Sequence, residues 1–208
     1  MPKPSGLFQR EPMSYYLFVG ALFLTGVVFG SVMVNALTLE QKEEIARHLG
    51  GFFDLVTLGT GFDAKQSFFD ALGMNLKWVV LIWLLGLSVI GMPLIFALDF
   101  LKGVLIGFTV GYLVGTYSWK GMLFALVSVA PQNLIAIPVI LAASAGAMSF
   151  SILLVRNRFW QRGGSVYASF LHYSSGAMVL ALLMIGVSLF EAMVSPVMMK
   201  WVTPFLQG

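Results

Sequence analysis

Long apolar runs alternate with polar segments along this chain of 208 residues, which begins with a polar tail at residues 1–14. The first run, residues 15–37, contains no charged side chain and is long enough to cross a hydrocarbon core of about 30 Å as a helix. The later runs occupy residues 78–98, 103–119, 121–155 and 166–190. This pattern predicts an all-α fold: one integral membrane domain over residues 1–208, a polytopic bundle with about five transmembrane helices.

Residues 38–77 form the long hydrophilic segment between the first and second runs. Thr38 followed by Gln41 predicts a capping box at the start of a helix. The apolar residues after it recur at helical spacing: Leu39, Ile45, Leu49, Phe52, Phe53 and Val56. We therefore expect an amphipathic helix on the membrane surface, and a second one after a break at residues 57–61. This loop either packs on the bilayer and the bundle or docks a partner protein.

A regular stripe of glycines marks the third run. The stripe consists of Gly103, Gly107, Gly111 and Gly115, one glycine at every fourth position. Helices in lipid associate by close packing, and glycine lets two backbones approach closely. We expect the stripe to contact another helix of the same chain; the seam of a homodimer is the alternative.

The fourth run, residues 121–155, is interrupted by Pro131, Gln132, Asn133 and Pro138. Each proline removes a backbone donor and clashes with the preceding turn, so nearby carbonyl groups lose their partners in lipid, which offers none. The two carboxamides are well placed to replace those partners. Such a segment is either a kinked span whose amides bind neighbouring backbone, or a re-entrant, cavity-lining segment that a partner or solute touches.

Charged residues between the runs predict turns and topology. Asp99 and Lys102 predict a tight turn between the second and third runs. The densest basic cluster, Arg156, Arg158 and Arg162, follows the fourth run, and basic residues accumulate in cytoplasmic loops. Five spans with the N-terminus inside put this cluster in the cytoplasm. The predicted topology has a cytoplasmic tail at residues 1–14, an external loop at residues 38–77 and an external, interfacial tail at residues 191–208.

Composition excludes several function classes. With 59% hydrophobic and 10% charged residues, the chain is neither a soluble globular domain nor disordered. No basic block is long enough for a nucleic-acid footprint, and the absence of cysteine excludes thiol catalysis and Cys-ligated metals. His172 lies beside Ser174 and Ser175. No second motif supplies an activated nucleophile, an orienting group and an oxyanion hole, so we expect these residues to make interhelical hydrogen bonds. We expect no enzyme activity, cofactor, metal or nucleic-acid partner.

Several segments taken together are similar to one known family. They are residues 16–19 and 26–30, Val34-Asn35, the start of the polar segment at residues 41–44, the stripe at residues 102–111, and Pro131-Gln132-Asn133 with Pro138. In this order, over nearly the whole chain, they resemble stage II sporulation protein M.

The resemblance implies a non-enzymatic bacterial membrane scaffold of sporulation. A member of that family is expected at the sporulation septum, where it recruits and anchors two peptidoglycan hydrolases, stage II sporulation proteins D and P, as the mother-cell membrane engulfs the forespore. The residues expected to serve structure or partner binding are Gly103, Gly107, Gly111, Gly115, Pro131, Gln132, Asn133 and Pro138. The alternative function is a permease-like subunit with a solute site at the interrupted helix.

Overall fold

Helices make up the described part of the chain. The structure is a computed structural model and describes residues 13–58, 64–88, 90–160 and 166–207. Its elements are α1 (Met13–Met33), α2 (Leu39–Leu58), α3 (Ala64–Gly86), α4 (Gly91–Ser128), α5 (Ala130–Trp160), α6 (Val166–Met193) and α7 (Ser195–Gln207), with a 3₁₀ turn, Val34–Ala36, after α1. No strand occurs in these ranges, so the predicted all-α fold is confirmed.

Five helical stretches in the described ranges are long and apolar enough to cross a membrane. They are Met13–Ala36, Lys65–Gly86, Gly91–Ser128, Ala130–Asn157 and Val166–Val202. The prediction of about five transmembrane helices is therefore confirmed. The predicted tail up to residue 12, residues 59–61 of the predicted loop break, and Arg162 lie outside the described residues.

α2 starts at the predicted capping box. The Thr38 N–H donates to Gln41 Oε1 at 3.0 Å, and the Gln41 N–H donates to Thr38 Oγ1 at 3.3 Å. These two bonds satisfy donors that the first turn of a helix leaves without intrahelical partners. The second helix expected in the polar segment is the first part of α3, which continues without a break into the second span.

The predicted turn at Asp99 and Lys102 is wrong, because α4 passes through both residues. The chain reverses earlier, after α3, where the Ser88 N–H donates to the Leu85 carbonyl at 3.0 Å and the Gly91 N–H donates to the Ser88 carbonyl at 3.1 Å. A Cβ added to Gly91 would meet the Leu85 carbonyl, so a glycine fits this tight reversal. The second span is therefore α3, shifted toward the N-terminus from the predicted residues 78–98.

α4 folds back on itself at Ser118. This residue has φ 51° and ψ −132°, a conformation that non-glycine residues rarely adopt. Leu113 and Phe124 share one hydrophobic cluster, although residues so far apart in a straight helix would be separated by roughly 16 Å. A Cβ added to Gly121 would meet the Leu113 carbonyl, which explains a glycine where the two parts touch. Residues 119–128 thus form a short helix that lies against the preceding one.

α5 begins after a turn at Val129, whose N–H donates to the Ala125 carbonyl at 2.8 Å. Pro131 lies in the first turn of α5, where its missing N–H has no intrahelical partner to lose. The helix then continues through Pro138. The interruption predicted at Pro131 and Pro138 therefore lies just ahead of both prolines.

The main core lies between α3, α4, α5 and α6. Its fully buried side chains include Ile82 of α3, Ile95 of α4, Ile140 of α5 and Met184 of α6. α1 packs against α4 beside this core, and α7 packs against α4 and α2. Leu49 of α2 also packs on a cluster that contains Phe124, near the end of α4. α2 therefore lies at the end of the bundle where α4 is followed by α5 and α6 by α7.

Candidate functional site

The glycine stripe of α4 packs against α1. A Cβ added to Gly103 would meet the carbonyl of Phe23, and one added to Gly107 would meet that of Val27. At Gly111 the added atom would lie 2.9 Å from the Cα of Ser31. Gly115 differs, because within the described residues its added Cβ has no neighbour closer than 4 Å apart from the adjoining residues and backbone of its own helix. Three of the four predicted glycines therefore form an interface within the chain.

α1 contributes two glycines to the same interface. A Cβ added to Gly26 or to Gly30 would meet the backbone of Phe100 or of Val104, respectively. The two helices thus approach each other through small residues on both sides, as is typical of close helix pairs in lipid. Because α1 covers this face, residues 103–111 cannot also be the seam of a homodimer.

Polar side chains that the sequence placed in a turn lie inside α4 instead, one of them buried and the other half-buried. Asp99 is fully buried, and Ser144 of α5 donates to its Oδ1 at 2.7 Å. Lys102, one turn further along α4, lies with its Nζ 5.2 Å from the centre of the Trp78 ring. The position of both residues between two apolar runs is the sequence signal that could have placed them inside the bundle.

A second polar group joins α3 to the end of α6. Asn75 donates from Nδ2 to Ser188 Oγ at 3.1 Å and to Glu191 Oε2 at 3.3 Å. Ser188 donates in turn to the Met184 carbonyl at 2.9 Å. Buried polar groups are costly unless they are paired, so these bonds fix the register of α6 on α3.

The two serines near His172 differ: one takes part in an interhelical hydrogen bond, as expected, and the other makes a local one. Trp83 Nε1 of α3 donates to Ser174 Oγ at 3.3 Å, an interhelical hydrogen bond. Ser175 instead donates to the His172 carbonyl at 2.8 Å, within α6. Tyr173 between them donates to the Trp83 carbonyl at 3.0 Å.

The two carboxamides after Pro131 have different surroundings. Asn133 donates from Nδ2 to the Val129 carbonyl at 2.8 Å. That carbonyl also accepts the Asn133 N–H at 3.4 Å, so the amide does not replace a partner lost to a proline. The Oε1 of Gln132 is buried and has no hydrogen-bond partner within the described part of the chain. Gln132 lines a cavity, whereas the exposed Pro138 lies further along α5.

This cavity has a volume of about 670 Å³ and lies where six helices meet. Ile45 and Leu49 of α2 form part of its wall, and the other lining residues come from α3, from both parts of α4, from the start of α5 and from the α6–α7 junction. Most of the wall is apolar. The polar lining residues are Ser67, Asp70, Thr109, Tyr112, Ser128, Gln132, Glu191 and Ser195.

Fold and site together define a polytopic helical membrane protein with a closely packed helix pair and a ligand-sized cavity at one end of its bundle. The family model described as stage II sporulation protein M matches residues 19–196. The chain belongs to this family and is a sporulation membrane protein, as the resemblance in the sequence predicted. No curated protein and no solved structure matches the chain.

Proposed function

We propose that this protein is a non-enzymatic membrane scaffold that recruits and anchors peptidoglycan hydrolases, stage II sporulation proteins D and P, at the sporulation septum. Anchored there, the hydrolases remodel the wall while the mother-cell membrane engulfs the forespore. Family membership supports the sporulation setting. The partners and the docking surface are the proposed part.

The observation that carries the proposal is the polar face of α2, formed by Glu40, Glu43, Glu44 and Arg47. All four side chains are exposed. Their spacing of three and four residues puts them on one side of the helix. On the opposite side, Ile45 and Leu49 line the cavity, so α2 faces the bundle with its apolar side.

A hydrogen bond holds α2 against the bundle. The hydroxyl of Tyr112, on α4, donates to the Lys42 carbonyl at 2.8 Å, and Tyr112 itself is buried. α2 also packs against α7. A charged helix surface that is fixed on a rigid bundle is preorganised for docking, because little ordering entropy is lost on binding.

In the proposed topology the N-terminus is cytoplasmic, so α1 crosses the membrane and α2 lies on the external side. Peptidoglycan and the catalytic parts of the hydrolases are on that side. Arg156, near the end of α5, is then cytoplasmic, in agreement with the accumulation of basic residues on the inner side. The polar face of α2 is therefore accessible to the proposed partners.

Charge reversal of the α2 polar face tests the proposal. We expect Glu43→Lys with Glu44→Lys to abolish co-purification of the two hydrolases from sporulating cells, because opposite charges at the face would repel a complementary partner. Lys200→Glu, an exposed charge reversal on α7, is the control and should leave co-purification intact. Undiminished co-purification with the double variant, inserted in the membrane at the normal level, would contradict docking on α2.

A permease-like subunit is the second candidate, favoured by the position of Gln132 beside a cavity. Transporter sites are often built where helices are interrupted at membrane depth. Under this alternative, Gln132→Ala and Asn133→Ala leave hydrolase co-purification intact and abolish a solute flux. An unchanged flux in both variants, measured in vesicles, would argue against it.

A further inference from the structure

The cavity between the six helices is of a size that binds small molecules. Its volume of about 670 Å³ lies within the range of roughly 300–1,000 Å³ that is typical of ligand sites. Such sites combine an apolar wall with a few polar groups that orient the ligand. The polar groups of this cavity therefore indicate what kind of ligand it selects.

Three hydroxyl groups in the lining direct their protons away from the cavity. Thr109 donates to the Leu105 carbonyl at 2.9 Å, Tyr112 to the Lys42 carbonyl at 2.8 Å and Ser128 to the Phe124 carbonyl at 2.7 Å. Because each hydroxyl has one proton and two lone pairs, these three groups have only acceptor capacity left. The hydroxyl lining thus favours a ligand that donates hydrogen bonds.

Two carboxyl groups strengthen this preference. Asp70 of α3 is exposed and lines the cavity, so the cavity is open where Asp70 lies. Glu191 is half-buried, and its Oε2 accepts one hydrogen bond from Asn75. Lys102 does not line the cavity, and no Lys, Arg or His occurs among the described lining residues. The lining is therefore acidic.

Two further polar atoms in the lining have no partner. They are Gln132 Oε1 and Ser195 Oγ, both buried and unbonded within the described part of the chain. Ser195 is only 2% exposed. A buried polar atom without a hydrogen bond is destabilising. A ligand that donates a hydrogen bond to such an atom would remove this cost.

We propose that this cavity binds a protonated primary amine that has an apolar body. An ammonium group offers three N–H donors, which suit the unpartnered oxygens of Gln132 and Ser195. Its positive charge suits the carboxylates of Asp70 and Glu191. The apolar body packs on side chains such as Leu49, Phe108 and Met199. A quaternary ammonium matches the charge but has no donor, so it binds more weakly.

Two sources offer this chemistry: a soluble amine, and a lipid whose head group ends in a primary amine. For a soluble amine, calorimetry on the full-length protein in detergent compares the binding of n-octylamine with that of octan-1-ol. For a lipid, native mass spectrometry compares the binding of phosphatidylethanolamine with that of phosphatidylcholine. We expect at least one of the two primary amines to bind about tenfold more tightly than the compound it is compared with. Preference for octylamine alone identifies a soluble ligand, and preference for phosphatidylethanolamine alone identifies a lipid; either result supports the proposal.

Variants of the lining residues tie the binding to this cavity. Gln132→Leu and Asp70→Asn should each weaken binding of the preferred amine by about tenfold, since each removes an acceptor or a charge. The controls Gln66→Leu and Glu44→Gln make the same kinds of change at exposed positions outside the lining and should bind like the wild type. Asp70 is exposed, so its substitution tests the site even if Gln132→Leu does not fold.

Ser195→Ala separates a ligand site from a merely structural one. Removal of an unpartnered buried hydroxyl should raise the thermal stability of the ligand-free protein and yet weaken amine binding several-fold. The proposal is wrong if the wild type binds neither n-octylamine more tightly than octan-1-ol nor phosphatidylethanolamine more tightly than phosphatidylcholine. It is also wrong if Gln132→Leu and Asp70→Asn bind the amine as tightly as the wild type does. Co-purification of the hydrolases, expected to be normal with Gln132→Leu, Asp70→Asn and Ser195→Ala, tests the scaffold function independently.

Discussion

The two halves of α4 are in contrasting surroundings. Between Gly103 and Gly111 one face of the helix touches α1 backbone to backbone. From Phe108 onward the chain borders a cavity with unpartnered polar atoms, and it folds back at Ser118. Close packing of that kind holds two helices in one arrangement, and a loosely packed polar end leaves room for a ligand or a partner. The contrast suggests that α1 and the first half of α4 form the frame, and that the α2 end of the bundle carries the function.

Gly107→Leu, in the closely packed half of α4, should cause the largest loss in the free energy of unfolding. The new side chain would meet the Val27 backbone, which cannot rotate away, so we expect a loss of about 3 kcal/mol or more, or failure to fold. The measurement is unfolding in a mild detergent. Gly115→Leu is the matched control, because the described residues leave its Cβ open; it should change stability by no more than about 1 kcal/mol. Equal losses in the two variants would refute the packed interface.

Ser144→Ala examines the core between the two regions. It removes the hydrogen bond to Asp99 Oδ1, and the Oδ2 of that buried carboxyl group already has no partner in the described part of the chain. We expect a loss of about 1–3 kcal/mol in the free energy of unfolding. Ser175→Ala, which removes a local bond to the His172 carbonyl, should cost less than about 0.5 kcal/mol. A Ser144→Ala protein as stable as this control would contradict the role of the pair.

Tyr112→Phe should loosen the attachment of α2 to the bundle. Only the hydroxyl is removed, so the bond to the Lys42 carbonyl is lost and α2 is held less firmly, at a cost of about 1 kcal/mol. Hydrogen exchange should accelerate in α2 and remain unchanged in α1. Equal acceleration in both helices would mean that the effect is global and that the hydroxyl does not hold α2 in particular.

Ser195→Ala is the smallest predicted change in stability and has the opposite sign. Because Ser195 Oγ is buried without a partner within the described residues, its removal should raise the free energy of unfolding by up to about 1 kcal/mol. Thermal unfolding of the ligand-free protein measures this gain. A loss of stability would show that the hydroxyl has a structural partner.

Much of the fold could be predicted from local sequence patterns. Apolar runs predicted the number of spans, Thr38 and Gln41 predicted the start of α2, and glycines at every fourth position predicted a close helix contact. The turn was misplaced because charges such as Asp99 usually mark the membrane boundary, whereas here the partner Ser144, distant in sequence, makes burial possible. Sequence spacing carries no information about such a partner.

The candidate site was predictable only in part. Gln132 was expected at a break that could line a cavity, and it does line one. Its companions Asp70, Glu191 and Ser195 come from three other helices, and only the packing of those helices brings them together. The fold-back at Ser118 also escaped prediction, because a positive φ at a serine has no sequence signature such as glycine provides.

Site-specific crosslinking in sporulating cells tests the scaffold role most directly. A photo-reactive amino acid replaces Glu43 on the exposed polar face of α2 or, as the control, Val19, which is fully buried on α1. Crosslinks from position 43 to stage II sporulation protein D or P, with none from position 19, are the predicted result. A protein that supports engulfment and gives no crosslink to either hydrolase from position 43 would contradict docking on α2.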